Sequence, residues 1–422
     1  MPENERGILA RLGLWVDGQA TSQAGQRQAS DRCHSSRRAP PLRAANAEGT
    51  LRGGIWIVLH LDAKKRGSGE QQLVAVAQRL QQEAIPTTMV FAAEPAPYPG
   101  RELRAAGVDI RWVDYRQPGQ ALGRLAKWFA AERPALAHFH FIDPYSPYVS
   151  AAKLSGAQVL VHDHLCPAVT AGLRGALKRA RSIVLNSFVD VRVAVSRVVA
   201  EAVTRAYAVA PHRVAIVENG IDLSRFRGVG GESVRRELAI GDAPLIVCVS
   251  RLDAEKGGET LLRAVPHLAH GAHLGFAGEG PRLAEWKELV ARLGVADRVH
   301  FLGLRNDVEQ LIAAANVVVV PSEYEEAFGQ VVVEGMASAR PVVVTRSGAM
   351  PYLVGEAGIV VPKRDPVGIA AAVNRLLDDP DLAGRLGHLG RERAEHRFGM
   401  EAYVERMVGL YRQVLDAHKR AA

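Results

Sequence analysis

Between Pro321 and Pro341 the chain reads PSEYEEAFGQVVVEGMASARP, which gathers carboxylates around a Phe-Gly turn. Glu326 stands just before the turn and Glu334 follows it, with seven residues between them. That separation is too long for a close acid/base dyad and sets the pair to flank a ligand. A helix over 329–338 would leave the backbone amides around Phe328, Gly329 and Gln330 unpaired at the positive end of its dipole, which makes an anion site. A carboxylate beside a bound phosphate is repelled, so the partners that suit Glu326 and Glu334 are hydroxyls, a sugar at one end and a ribose diol at the other. Acids also collect at helix N-termini for dipole reasons alone, and spacing by itself leaves both readings open.

Other residues offer complementary chemistry. The apolar stretch 244–250 delivers Arg251 at its end, with Lys256 five positions on. Two such cations can close on one diphosphate, the guanidinium as a fork and the ammonium as a point charge; they can equally pair with Asp253 and Glu255. Near the start of the apolar pattern, strand 54–60 runs into Gly67-Ser68-Gly69-Glu70 and then an amphipathic helix, a phosphate-loop arrangement. His138 and His140 alternate along strand 137–141 and read as structural. His162, Asp163 and His164 end strand 159–164; a metal reading of these three fails for want of a fourth ligand. The Asp-x-Asp at Asp379-Pro-Asp381 sits where one helix breaks and the next is capped, so no metal ligand is expected there.

These residues need rigid elements behind them. The runs 316–320 and 341–345 read as fully buried parallel strands. Parallel neighbours require a crossover of about a dozen residues, usually helical, which sets 329–338 as a helix against the β-preference of Val331, Val332 and Val333. Strands over 87–92, 108–113, 193–196, 214–217 and 299–304 alternate with helices, the pattern of an α/β protein with doubly wound sheets. The first 53 residues carry no sustained apolar period and are expected to be disordered. A domain over 54–225 closes with the sharp turn at Asn219-Gly220, which puts the boundary near 225. A second domain covers 226–400, and a final helix over 401–422 is expected to return to the first.

A chain of 422 residues, 48% of them hydrophobic, suffices for two cores. No apolar run reaches bilayer length and no signal-peptide core opens the chain, so a cytoplasmic protein is expected. Cys33, Cys166 and Cys248 have no metal or disulfide spacing and read as reduced. The net charge of +8 suits anionic partners, yet no nucleic-acid motif is present. The basic stretch 173–181 is read as a solvated helix face in preference to a lipid contact. A nicotinamide dehydrogenase is excluded by the lack of a Gly-x-Gly-x-x-Gly after the first strand.

Glu326-Ala-Phe-Gly-Gln-Val-Val-Val-Glu334-Gly-Met-Ala337 resembles the signature of glycosyltransferase family 4, retaining nucleotide-sugar transferases with the GT-B architecture of two facing Rossmann-like domains. Arg251-Leu and Lys256-Gly, and Asn219-Gly-Ile-Asp with Phe226, follow the same pattern. The resemblance implies Glu326 on the donor sugar, Arg251 and Lys256 on the diphosphate, and His162 as the strand-end imidazole facing the sugar. It implies donor contacts from Glu334, Phe328, Gly329, Gln330, Val331, the Leu304 backbone, Gly67 and Ser68. Ala349 and Tyr352 depart from the family's usual Gly-Gly and Pro-Glu, which puts that loop's contact in doubt. The expected activity is metal-independent and cofactor-free transfer of a hexose-type sugar from a UDP- or GDP-sugar to a saccharide or lipid-linked saccharide in polysaccharide or lipopolysaccharide synthesis, with contact to an anionic membrane open. A sugar-nucleotide-binding protein without turnover and a sugar-nucleotide epimerase are the alternatives.

Overall fold

The computed structural model describes residues 53–64, 67–167 and 172–421. The expected disorder of the first 53 residues therefore falls, Gly53 apart, outside the described residues, as does Cys33.

Two parallel sheets organise the chain. The first has seven strands in the order β3-β2-β1-β4-β5-β6-β7: β1 (Ile55–Leu59), β2 (Thr87–Phe91), β3 (Asp109–Trp112), β4 (Leu136–His140), β5 (Gln158–Asp163), β6 (Val191–Ala194) and β7 (Val214–Ile216). The second has six in the order β10-β9-β8-β11-β12-β13: β8 (Leu245–Val249), β9 (His273–Ala277), β10 (Val299–Gly303), β11 (Val317–Val320), β12 (Val342–Thr345) and β13 (Gly358–Val361). Central strands such as β1 (IWIVL) and β11 (VVVV) are apolar and buried along their whole length, because helices cover both faces of a parallel sheet. In each sheet the strand order reverses once, between β1 and β4 in the first and between β8 and β11 in the second. Ligands of open α/β sheets bind outside the carboxyl ends of the strands at such a reversal, and the candidate residues lie there: Gly67 and His140 beyond β1 and β4, Arg251 and Glu326 beyond β8 and β11.

Six helices bear on the site and its surroundings: α1 (Ser68–Gln82), α2 (Gly172–Leu185), α3 (Gln330–Ala337), α4 (Met350–Val354), α5 (Pro380–Arg397) and α6 (Met400–Ala421). As the crossover between parallel neighbours requires, α3 is helical despite its three consecutive valines. Val332, Val333 and Met336 are buried in the core below it, and Gly335 lets the helix approach until an added Cβ would stand 3.0 Å from Val342. Tertiary packing has overridden local propensity. Asp379 caps α5, its Oδ1 accepting from the Leu382 amide at 2.8 Å.

After α5 the chain returns to the first sheet. Ile221 donates to the Phe398 carbonyl at 2.9 Å and accepts from the Met400 amide at 3.0 Å, so the two passages between the sheets lie side by side. Tyr403, Met407, Tyr411 and Leu415 of α6 then join Ile55, Ile57, Leu136 and Leu160 in one core. Strand β13 has no counterpart in the sequence pattern, because its four residues are separated from a helix by only three and show no alternation. Among the described residues no helix is long and apolar enough to cross a membrane.

Candidate active site

The loop from β11 to α3 shapes the site. Gly329, the residue before α3, has φ +100°, a conformation that favours glycine, and no side chain caps the helix there. The Phe328 ring points into the core against Phe398 at 5.9 Å between centroids. What Phe328 can offer a ligand is its backbone. Val331 is half-buried beside it.

Glu326 is buried and fully engaged. Its Oε1 accepts from Lys256 Nζ at 2.9 Å and Ser322 Oγ at 2.7 Å, and its Oε2 from the Tyr324 hydroxyl at 2.6 Å. Lys256 also donates to the Tyr324 oxygen at 2.8 Å and lies 4.5 Å above its ring. Burial and the bond to Glu326 push the Tyr324 hydroxyl up, so it remains a donor. Three donors thus hold one carboxylate in a fixed pose, and Ser322 and Tyr324 are members of the site that spacing does not reveal. Both lie within four residues of Glu326 on an irregular segment, where no periodicity predicts which side chains turn inward. Behind Glu326, Gly348 packs so closely that an added Cβ would stand 2.1 Å from the Glu326 carbonyl oxygen.

The two cations part company. Lys256 turns to Glu326, while Arg251 pairs with Asp253 at 2.8 Å and Glu255 at 3.3 Å and keeps 69% of its side chain exposed. The salt-bridge alternative is met for Arg251 and not for Lys256. Glu334, one turn into α3, accepts from Gln330 Nε2 at 3.0 Å, and burial holds its carboxyl above the usual carboxylate range against that bond. Gln330 also donates to Ser68 Oγ at the start of α1, joining the two halves of the chain across the gap. Leu304, just past β10, is 74% exposed.

A cavity of about 470 Å³ opens on the first-sheet side, lined among others by Gly67, Ser68, Gly69, His140, His164 and Gln330. His162, the strand-end imidazole of the sequence reading, is not among the residues that line it. His164 faces the cavity; His162 lies behind it in the interior, the two rings stacked at 4.3 Å. The reason is the register of β5, in which His162 pairs with His140 and shares its face with the core, while His164 lies just beyond the last paired residue. Asp163, on the opposite face, pairs with the buried Arg192 at 2.5 Å.

His138, His140, His162 and His164 form one stack. His138 Nδ1 meets the Tyr411 hydroxyl at 2.8 Å and His140 Nε2 at 3.3 Å, and His140 Nδ1 meets His164 Nε2 at 3.1 Å. The donor nitrogens of His138, His140 and His162 lie within 4.8 Å of one another, and both ring nitrogens of His162 are buried without a partner. Burial drives the His138 imidazole down to about 3 and that of His164 to about 4, with His140 and His162 well below their ordinary value. At neutral pH the whole stack is uncharged. A structural role for His138 and His140 is consistent with this.

Tyr352, where the family pattern departs, is tied by its hydroxyl to Arg397, whose guanidinium sits 4.4 Å above the Tyr352 ring and grips Glu218 through two bonds of 2.8 and 3.1 Å. Tyr352, at the loop where the departure puts ligand contact in doubt, thus forms part of a strut with Arg397 and Glu218.

Comparison with known proteins places this geometry. The family described as "Glycosyltransferase Family 4" matches residues 69–225, and that described as "Glycosyl transferases group 1" matches residues 243–379. A D-inositol 3-phosphate glycosyltransferase of Streptomyces bingchenggensis is 31% identical over 382 residues, covering 80% of this chain and 78% of its own. A lipopolysaccharide core biosynthesis glycosyltransferase, LpsE of Rhizobium meliloti, is 34% identical over 166 residues, 39% of this chain and 48% of its own. Among solved structures, Anabaena Alr3699/HepE in complex with UDP superposes with a TM-score of 0.73 at 19% identity, covering 85% of this chain and 99% of that one.

Proposed function

This chain belongs to glycosyltransferase family 4, and from that premise we propose that it transfers a hexose-type sugar from a nucleotide-diphosphate donor to a saccharide or lipid-linked saccharide, retaining the anomeric configuration and using no divalent metal. The observation that carries the reading is the sequence of groups along one loop and helix: the Glu326 carboxylate fixed by Lys256, Ser322 and Tyr324, then the amides at Gly329 and Gln330, which no side chain among the described residues caps, then Glu334 bonded to Gln330. A diphosphate at the amides places a sugar toward Glu326 and a ribose diol toward Glu334. His164, and not His162, then faces the sugar from the first sheet. The name of the HepE complex favours UDP as the nucleotide, and the name of LpsE favours an acceptor of lipopolysaccharide type.

With Glu326 engaged by three donors and no other carboxylate among the described residues of this loop placed as nucleophile, the leaving phosphate oxygen takes the acceptor's proton on the face it departs from. Thermal unfolding with UDP, GDP, ADP and their sugars tests the donor, since a ligand at a hundred times its dissociation constant stabilises by about 2.7 kcal/mol. NMR of the first-formed product then reads the anomer. A retained configuration is expected; an inverted one, or donor binding without transfer to any saccharide, overturns the reading.

A further inference from the structure

The pairing of β4 with β5 sets three imidazoles side by side. His138 and His140 share one face of β4, and the register brings His162 directly opposite His140. None of the three is more than 5% exposed, and each offers a ring nitrogen within 4.8 Å of those of the other two. Two of the rings are anchored by their Nδ1 atoms: His138 to the Tyr411 hydroxyl on α6 at 2.8 Å, His140 to His164 Nε2 at 3.1 Å. His162 has no such anchor. Both of its ring nitrogens, and the Nε2 of His138, are buried without a partner among the described residues. A neutral imidazole carries one donor and one acceptor, so either tautomer of His162 leaves both unmet. Buried polar groups in folded proteins are satisfied, and one that is not calls for a water or an ion.

We propose that His138, His140 and His162 form a binding site for one transition-metal ion of the zinc class. Convergence favours an ion over a water: a tetrahedral zinc ion holds its nitrogens at about 2.0–2.1 Å and therefore about 3.4 Å from one another, which small rotations of these rings supply. Burial keeps the three imidazoles unprotonated at neutral pH, so their lone pairs are available. The Tyr411 and His164 bonds orient the His138 and His140 rings, the part outer-shell partners play around metal-bound imidazoles. Without an ion, His140 Nε2 rests against His138 Nδ1 at 3.3 Å, a contact that ligation would replace. The set differs from the consecutive His162, Asp163 and His164, because Asp163 turns away to Arg192. With imidazoles alone it suits zinc, copper or nickel, whereas magnesium and manganese want oxygen ligands. His140 and His164 stand on the cavity wall, which gives the ion a way in. Once bound it ties β4 to β5 and, through Tyr411, to the returning α6. It acts as a clamp on the first sheet with no part in sugar transfer, and the inference does not rest on the donor reading.

The test is titration of the full chain, stripped with a chelator, with Zn²⁺, read by calorimetry and by melting temperature, with Mg²⁺ and Mn²⁺ for comparison. Zinc is expected to bind and raise the melting temperature, and the two hard ions to leave it unchanged. His162→Phe removes no hydrogen bond, so its melting temperature without metal should match the parent's. Its zinc affinity should fall by more than the roughly 10–100-fold that loss of an outer-shell partner costs, and Tyr411→Phe should show that smaller loss. His270→Gln, at an exposed histidine of the other half, should bind zinc as the parent does. X-ray absorption of the zinc-loaded parent should show imidazole nitrogens at about 2.0–2.1 Å, a reading that needs no variant to fold. Absence of zinc binding in the parent, equal affinity in His162→Phe, or a zinc shell of sulfur or of oxygen alone overturns the proposal and leaves a buried water as the partner of His162. Failure of UDP to bind would indict the donor reading and leave the zinc result standing.

Discussion

At the scale of single residues the two carboxylates divide their labour by how many partners each already has. Glu326 is saturated by three protein donors, so Glu326→Gln should cost turnover far more than nucleotide affinity. Glu334 has one partner and is half-buried, so Glu334→Ala should weaken UDP binding by about 1–3 kcal/mol, the penalty of leaving a hydroxyl partner unmet. Calorimetric titration of both variants beside single-turnover rates separates the two; an equal loss of affinity in each would sink the division. The histidine stack gives a pH signature. Its folded imidazoles bind protons well below the ordinary value near 6.5, so as pH falls through about 6.5 the unfolded chain takes up protons first and stability drops. Carboxylates held low by pairing, such as Glu325, add their own loss only in the acid range below. Urea unfolding between pH 7.5 and 5 (about the interval where histidine alone titrates) should show a steady decline, and His138→Phe should flatten part of it. A flat profile in the parent would mean the stack is more open to water than its burial indicates. Glu326, Glu334, Arg251 and Lys256 stand out in the sequence through the family signature they resemble, since type and spacing alone leave a ligand role and a salt-bridge or dipole role equally open. The histidine that lines the cavity, His164, does not, because alternation puts His162 and His164 on one side and only the point where β5 ends separates them.

Elements explain why the loop keeps its shape. The crossover requirement between parallel neighbours is strong enough to place α3 against the propensity of its valines, whereas β13, short and without alternation, leaves no signal. Two glycines hold the loop for different reasons. Gly329 has φ +100°, and the nearest atoms to an added Cβ are side-chain carbons of Met350 at 3.3 Å, Leu353 at 3.4 Å and Val332 at 3.5 Å, all of which can give; Gly329→Ala should therefore cost about 1–2 kcal/mol of backbone strain and tilt the anion-binding amides. Gly348 lies at φ +48°, a gentler conformation, yet its Cβ would overlap the Glu326 backbone. Gly348→Ala should be the more damaging, because the clash is with main chain that cannot rotate away. Chemical denaturation ranks the two, and UDP affinity should fall in Gly329→Ala even at temperatures where the variant is fully folded. If Gly348→Ala proved the milder change, the packing beneath Glu326 would be looser than the distances require.

The whole molecule has to answer how a diphosphate leaving group is neutralised. The chain carries a net charge of +8, but only a few cations stand at the reversal points of the two sheets. Lys256 is committed to Glu326 and Tyr324, so substituting it disturbs the carboxylate as well as the phosphate and cannot report on either alone. Arg251 is different: its partners Asp253 and Glu255 are close neighbours in sequence, and most of its side chain is in solvent, so it can swing to a ligand at little cost when the halves close. The contact of Gln330 with Ser68 shows that the two halves already touch across the gap, and the paired crossings at Ile221 and Met400 leave a narrow neck about which they can turn. Closure excludes water, which strengthens every fixed charge and amide aimed at the phosphate. If these groups are sufficient, turnover survives EDTA, and Arg251→Ala lowers kcat by roughly 10²-fold or more, the scale of one lost transition-state donor, while the melting temperature stays where it was. Turnover abolished by EDTA and restored by Mg²⁺ or Mn²⁺ would assign the neutralising charge to a metal ion and leave Arg251 as the partner of Asp253 and Glu255 alone.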